Sequence, residues 1–466
     1  MNGFTQRHRQ SSVASAALAV ILLLTAIFRN APACPFCLSP PQTLAEQISR
    51  ADLVLIAELV RFEVYDHGTR PESTLRIRKY LRGEETAAQL DRLSIGQSIV
   101  IPSEAAGTPG DLFLMYGTLP EYSVPGSAST FASTSTNSDA GNANAAGKVV
   151  QAVLKSDALV EAVIQKASFL VPELISWNET LAITTDTVNY LQQLPAQTDP
   201  QPTRLAYFLT NLEHRDPLVA IDAWAEFGNA SYDDVVAVRN LMSPADLRHW
   251  IADKDMSPER LGLYGMMLGL SGGPEDARFL LSQMMESEPE LPSGVGQATP
   301  KRAFRFGAEG LMGGYLLLTG EEGLKQLEET IALPADVPDT ARHAFVQSLQ
   351  FIWSYESDVI SKARIQSSMR LLLQNSSMRE IAITNLSRWE DWESLPALQA
   401  MFAKDCEGDR ESQRAILQFA QTCRRSVSAR SDARDYAALA EEFLCEAHLT
   451  RPDLQSQNIR EFNAPQ

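Results

Sequence analysis

Positive charge is what this sequence has least of. Its 40 Lys and Arg stand against 58 Asp and Glu, a formal net charge of −18, and no run of five or more basic residues breaks the imbalance. A phosphate backbone or an anionic bilayer is repelled by such a surface unless a basic patch is segregated, so nucleic acid is excluded as a partner. Histidine is scarce as well: the six are scattered singly, from His8 to His448, and no H-x-x-x-H pair exists. Cysteine is limited to five, of which only Cys34 and Cys37 are close neighbours. A zinc site needs two further ligands at suitable spacing, and the first histidine after Cys37 is His67. No metal and no cofactor is implied. Long apolar runs are absent but for one, Val13 to Phe28.

That run follows Arg7, His8 and Arg9 and precedes Ala31-Pro32-Ala33, an A-x-A triplet suited to signal peptidase. It is shorter than the roughly 20 residues that span a bilayer, so residues 1–33 are expected to be a secretory signal. A membrane association is expected only if the segment stays uncleaved or is lipidated at Cys34. Export to a periplasmic or extracellular space favours oxidised thiols, which makes Cys34 and Cys37 candidates for a disulfide staple. Redox catalysis by the same pair requires a preceding strand and a helix opened by the motif, and nothing but the signal precedes it.

Two familiar catalytic strings occur in unsuitable settings. "GLSGG", Gly269 to Gly273, fits G-x-S-x-G, but the residues before it have helical period, and Gly272-Gly273-Pro274 reads as a helix end followed by the next helix start. "HRD", His214 to Asp216, has Ile221 where a kinase needs Asn, and Asp216-Pro217 reads as a helix cap. No catalytic residue is assigned.

From Ala51 the pattern alternates in strand fashion through "DLVLIAELVRFEV", "STLRIRKYLRG", "GQSIVIP" and "DLFLMYGTL". Thr43 and Glu46 form a capping-box pattern before a short helix. The cysteine motif, the short helix, "ADLVLIAELV", "LRIRKYLRG" and "GDLFLMYG" together resemble netrin-like or TIMP-like domains of exported proteins. That resemblance implies an OB-like β-barrel over residues 34–122 with a cysteine-tethered amino terminus. It does not extend to protease inhibition, because inhibitory members begin with C-x-C. A Ser, Thr, Ala, Asn and Gly tract, 123–147, reads as a linker, and 456–466 as a tail.

Residues 148–455 carry helical periodicity and recurring N-caps: Asp216-Pro217, Ser243-Pro244, Ser257-Pro258, and Ser377 with Glu380. "RLGLYGMMLGL" from Arg260 aligns without a gap on "RFGAEGLMGGY" from Arg305, an offset of 45 residues. Gly262, Gly265 and Gly269 fall on Gly307, Gly310 and Gly314. A glycine inside a helix costs about 1 kcal/mol relative to alanine, so its repetition in register points to a close-packed neighbouring backbone. The offset is near the period of HEAT-type repeats, and further helix pairs are drawn at 203–228, 338–374, 377–403 and 410–446. The expected fold is therefore mostly α with a small all-β domain, an OB-like barrel followed by a HEAT-like α-helical repeat array. Taken together these features resemble a family of large exported bacterial proteins with no assigned activity.

Trp224, Trp250, Trp353, Trp389 and Trp392 sit in amphipathic patterns and are expected mainly as filling between helices. Trp389 and Trp392, in "SRWEDWESL", are also candidates for partner-binding anchors, since loops between helices are where binding residues concentrate. The functional expectation is a non-enzymatic, extracytoplasmic protein-binding or scaffold protein with a protein or peptide partner. The alternatives are a thiol-disulfide protein using the C-x-x-C, or an enzyme whose site is assembled from dispersed residues.

Overall fold

The computed structural model describes residues 35–37, 40–65, 70–88, 93–119, 175–178, 180–284, 304–404, 410–426 and 433–451. The expected signal, Cys34, the 123–147 tract and the tail lie outside these residues. The chain divides into two compact units, one of Pro40–Phe227 and one of Met1–Ser39 with Gly228–Gln466. Among the described residues no helix is long and apolar enough to cross a membrane.

In the first unit, helix α1 (Leu44–Arg50) starts where Thr43 Oγ1 accepts the Glu46 N–H at 3.2 Å. The four alternating stretches form the strands β1 (Leu53–Tyr65), β2 (Arg70–Arg82), β3 (Ser98–Ile101) and β4 (Leu112–Thr118), with a short helix α2 (Glu84–Ala88) after β2. All neighbours are antiparallel, in the order β3-β2-β1-β4. Register shifts near Val54, Ile56 and Leu59 mark bulges, which bend and twist a strand.

One face of this sheet presents Leu53, Leu55, Ala57, Leu75, Ile77, Ile99, Phe113 and Met115 to a common core. Val54, Ile56, Leu114 and Tyr116 on the opposite face are buried too. A strand covered on both sides needs a continuous apolar run, which is why "LVLIA" does not alternate cleanly.

Two further strands, β5 (Ser176–Trp177) and β6 (Leu181–Ile183), pair with β4. This corrects the expectation of helix throughout 148–455 and extends the sheet across the tract taken as the domain boundary. Among the described residues no pairing joins β3 to β5 or β6, so the sheet has two ends and the expected closure into a barrel is not present there. Three helices complete the unit: α3 (Thr185–Gln192), α4 (Gln201–Leu209) and α5 (Pro217–Asn229). Asp216 caps α5, its Oδ1 accepting the Leu218 N–H at 3.0 Å, while Thr184 and Thr187 hydroxyls donate to its other oxygen.

The second unit is helical: α6 (Tyr232–Ala237), α7 (Pro244–Ala252), α8 (Pro258–Ser271), α9 (Pro274–Gln283), α10 (Ala308–Leu327), α11 (Asp339–Tyr355), α12 (Lys362–Leu371), α13 (Arg379–Arg388), α14 (Leu395–Lys404), α15 (Arg410–Arg425) and α16 (Ala433–Thr450). Ser243 and Ser257 cap α7 and α8, with proline in the first turn of each. Ser271 ends α8, its hydroxyl donating back to the Met267 carbonyl at 2.9 Å, and Pro274 opens α9. The cap expected at Ser377 is shifted: Met378 occupies that position without a side-chain cap, and Asn375 Oδ1 instead accepts the N–H groups of Ser377 and Met378.

The glycines meet as the repeat requires. A Cβ on Gly310 would fall within 2.5 Å of the carbonyl carbon and Cα of Gly262, and one on Gly314 within 2.8 Å of the carbonyl carbon of Gly265, closer still to each oxygen. On the facing helix, a Cβ added to Gly265 would fall 2.6 Å from the Gly310 carbonyl carbon and one added to Gly269 2.7 Å from the Gly314 oxygen. The paired positions ascend together along both chains, so α8 and α10 run parallel, backbone against backbone. Small residues four apart create such close helix approaches. Gly307 differs from its partners: it precedes α10 with φ of 85° and lies against Pro258, a turn position rather than a helix interior.

Phe36 joins this helical unit, which corrects its expected place in the β domain. Its ring lies on the Gly313 backbone, where a Cβ would sit 2.6 Å from it, and packs 4.9 Å from the Phe351 ring. Cys37 beside it is partly buried and disulfide-bonded, whereas Cys423 and Cys445 are free.

Candidate binding cleft

The loop between α13 and α14 is built by a helix end of unusual composition. Asp391 N–H bonds the Leu386 carbonyl at 2.9 Å and Glu390 N–H bonds that of Ser387 at 3.2 Å, the two hydrogen bonds of a Schellman motif. The left-handed residue this motif needs is normally glycine, yet here it is Glu390, at φ of 54°, the single non-glycine residue with positive φ among those described. The strained position is worth about 1–2 kcal/mol. Strain of this kind is retained where the surroundings hold it, often at binding sites.

Around that turn the side chains interlock. Trp389 stacks on Trp353 of α11 with ring centroids 4.5 Å apart and an interplanar angle of 18°, and Lys362 Nζ stands 5.0 Å from the Trp353 centroid as a cation–π partner. Gln366 Nε2 donates to the Trp389 carbonyl at 3.0 Å. Arg370 of α12 forks onto Asp391, with Nε donating to Oδ2 at 2.7 Å and Nη2 to Oδ1, and Nη2 also reaches Glu393 at 3.2 Å. The hydrogen bonds it donates to Asp391 hold the Arg370 guanidinium above its usual pKa, so it stays charged. Trp392 meets Phe419 of α15 edge to face at 5.2 Å.

These groups line a cleft of about 830 Å³, whose rim carries Arg388 and Tyr436. The structure therefore brings Trp389 and Trp392 to one site, but as largely buried walls, 8% and 7% exposed, and not as projecting anchors. Trp353, Lys362, Arg370 and Arg388 complete it and carry no local sequence signature, since three helices supply them. The Gly262, Gly265, Gly269, Gly310 and Gly314 set lies elsewhere, in the α8–α10 contact.

The cleft can stack apolar or planar groups and can ion-pair with a carboxylate through Lys362 and Arg388, neither of which forms an ion pair among the described residues. Arg370 is already committed. Among the described residues no group of three or more His, Cys, Asp or Glu could hold a metal ion. No protein-family model, no curated protein and no solved structure matches this chain.

Proposed function

We propose that the protein is an exported, non-enzymatic binding or scaffold protein that holds a partner polypeptide in the tryptophan cleft. The observation carrying this reading is compositional and geometric at once. Three Trp, one Tyr and two Arg gather on one concave surface, and these are the residue types that dominate the energetics of protein interfaces. The partner segment is extended, with an aromatic or aliphatic side chain against Trp353 and Trp389 and an acidic residue facing Lys362 and Arg388.

The rest of the molecule fits that role. The parallel α8–α10 contact, and helix pairs recurring along the chain, support a HEAT-like array, whose stacked repeats suit extended partners. The antiparallel sheet is an OB-like module, and Cys34 is the disulfide partner of Cys37. The basic, apolar and A-x-A order of residues 7–33 supports export.

Peptides selected from a random display library against the full chain, then titrated by fluorescence anisotropy, test this. Acid-bearing peptides are expected to be enriched and to bind the double variant Lys362→Glu/Arg388→Glu at least about tenfold more weakly, because a like charge at an interface repels. Both substitutions are at exposed positions, so the fold is retained. Selected peptides that bind the variant as tightly as the parent chain, or no enrichment at all, overturn the reading.

A further inference from the structure

A second cavity, of about 660 Å³, lies wholly within the β-containing unit, between α1, β4, α5 and the residues Asn178, Thr180 and Leu181. Among the described residues its lining holds one carboxylate, Asp222, and no cationic side chain. Asp222 is 4% exposed; Oδ1 accepts the Leu44 N–H at 2.6 Å and Oδ2 the Tyr190 hydroxyl at 2.7 Å. Each oxygen thus keeps a lone pair for a further donor. The nearby guanidinium of Arg204 is committed to Glu226, at 2.8 Å. Burial pushes the Asp222 carboxyl upward in pKa, with the bonds from Leu44 and Tyr190 opposing, so a cation placed beside it relieves an existing cost.

Tyr116 of β4 faces the same cavity. It is 6% exposed, yet its hydroxyl makes no hydrogen bond among the described residues. Burial, and then the Asp222 charge, push its pKa up, so it remains a phenol able to donate. A buried hydroxyl without a partner is costly, and Tyr116, which lines this cavity beside a buried carboxylate, supplies one for a ligand carrying a cation and an acceptor together. Leu181, Leu218 and Ile221 form an apolar wall alongside.

We propose that this cavity binds a small primary ammonium adjacent to a carbonyl, the ammonium donating to Asp222, the Tyr116 hydroxyl donating to the carbonyl oxygen, and an aliphatic side chain resting on Leu181, Leu218 and Ile221. A free carboxylate is rejected, because Asp222 repels it and no cation lines the wall among the described residues. The same chemistry is offered by a free amino-acid amide and by the amino terminus of a peptide.

Isothermal titration calorimetry of the full chain with leucinamide, leucine, isocaproamide and the peptide amide Leu-Gly-Gly-NH2 tests the assignment. Leucinamide is expected to bind at least about tenfold more tightly than isocaproamide, which lacks the ammonium, and than leucine, which carries the carboxylate. Binding of Leu-Gly-Gly-NH2 as tightly as leucinamide identifies a peptide terminus as the source, and its exclusion identifies a small amine; both outcomes support ammonium recognition. Tyr116→Phe is expected to weaken leucinamide about five- to tenfold. Asp222→Asn is expected to abolish the preference for the ammonium; because Asp222 also holds Leu44, Tyr116→Phe, which removes a hydroxyl that bonds none of the described residues, keeps the test decisive if that variant does not fold. Equal binding of leucinamide and isocaproamide, unchanged binding by Tyr116→Phe, or no saturable binding of any probe overturns the proposal.

Discussion

A methyl group added at Gly310 is pulled two ways. Alanine in a helix interior is favoured over glycine by about 1 kcal/mol, so on helix propensity alone Gly310→Ala stabilises. The new carbon, however, lies within 2.5 Å of the Gly262 carbonyl carbon and Cα, where an ordinary contact is 3.4–4 Å. The obstacle is backbone and has no rotamer to yield, so α8 and α10 must part by roughly 1 Å, enough to forfeit a quarter to a half of the dispersion well at each lost contact. Overpacking typically costs about 1–3 kcal/mol, and a rigid backbone places this site at the upper end. The net expectation for Gly310→Ala is a destabilisation of about 2 kcal/mol. Gly262 supplies the internal standard: its added carbon meets Phe36 at 3.2 and 3.3 Å, a clash that a few tenths of an ångström relieve, so Gly262→Ala should be nearly neutral. Gly265, whose added carbon would come no closer than 2.6 Å to its nearest neighbours, falls between. Urea unfolding followed by tryptophan fluorescence, together with amide hydrogen exchange in α8 and α10, reads the series. If Gly310→Ala is as stable as the parent, or if Gly262→Ala is the worse of the two, the backbone-contact explanation of the repeated glycines is wrong.

Three further outcomes follow from other contacts. Arg204 and Glu226 form a buried pair at 2.8 Å with side chains 8% and 4% exposed; Arg204→Ala should cost about 3–5 kcal/mol by stranding the acid, whereas Arg204→Met with Glu226→Leu should recover most of that, both measured by urea unfolding. Burial raises the Glu328 carboxyl, but hydrogen bonds from Arg364 and Ser368 outweigh it and hold the group below its ordinary 4.5. Its stabilising contribution is therefore complete above pH 4.5 and is lost as pH falls through the lower folded value; the stability gap between the parent and Glu328→Gln should shrink below pH 4.5 and stay constant above it. Phe36→Ala empties the space beside Gly313 and Phe351 and should destabilise the helical unit by about 3–5 kcal/mol, seen as faster hydrogen exchange in α10 and α11; unchanged exchange there would remove Phe36 from the helical packing.

Local chemistry was readable wherever it acts within a few residues. Thr43, Asp216, Ser243 and Ser257 cap the helices their spacing indicates, because a cap involves only the adjacent turn. Ser377 shows the limit of that reading: its helix begins as expected, yet the neighbouring Asn375 carbonyl oxygen takes the N–H groups a serine cap would have served. The strands β1 to β4 were legible from alternation, whereas β5 and β6, two and three residues long, were not. Segments so short have no period, and they are strands only because β4 offers them an edge.

The two sites divide in the same way. Trp389 and Trp392 stood out in one loop, but their partners Trp353, Lys362 and Arg370 become neighbours only once α11, α12 and α13 pack. Nothing linked Tyr116 to Asp222, more than a hundred residues apart and on a strand and a helix. By itself the sequence determined the types of the longer elements, the acidic surface and, through glycines repeated in register, which two helices touch. Tertiary structure alone decided that those helices run parallel, that Phe36 packs among the helices, and that one hydroxyl and one carboxylate share a cavity. The physical reason is range: propensity, capping and backbone clearance act over a turn or two of chain, while burial and charge depend on which distant segments arrive at the same place.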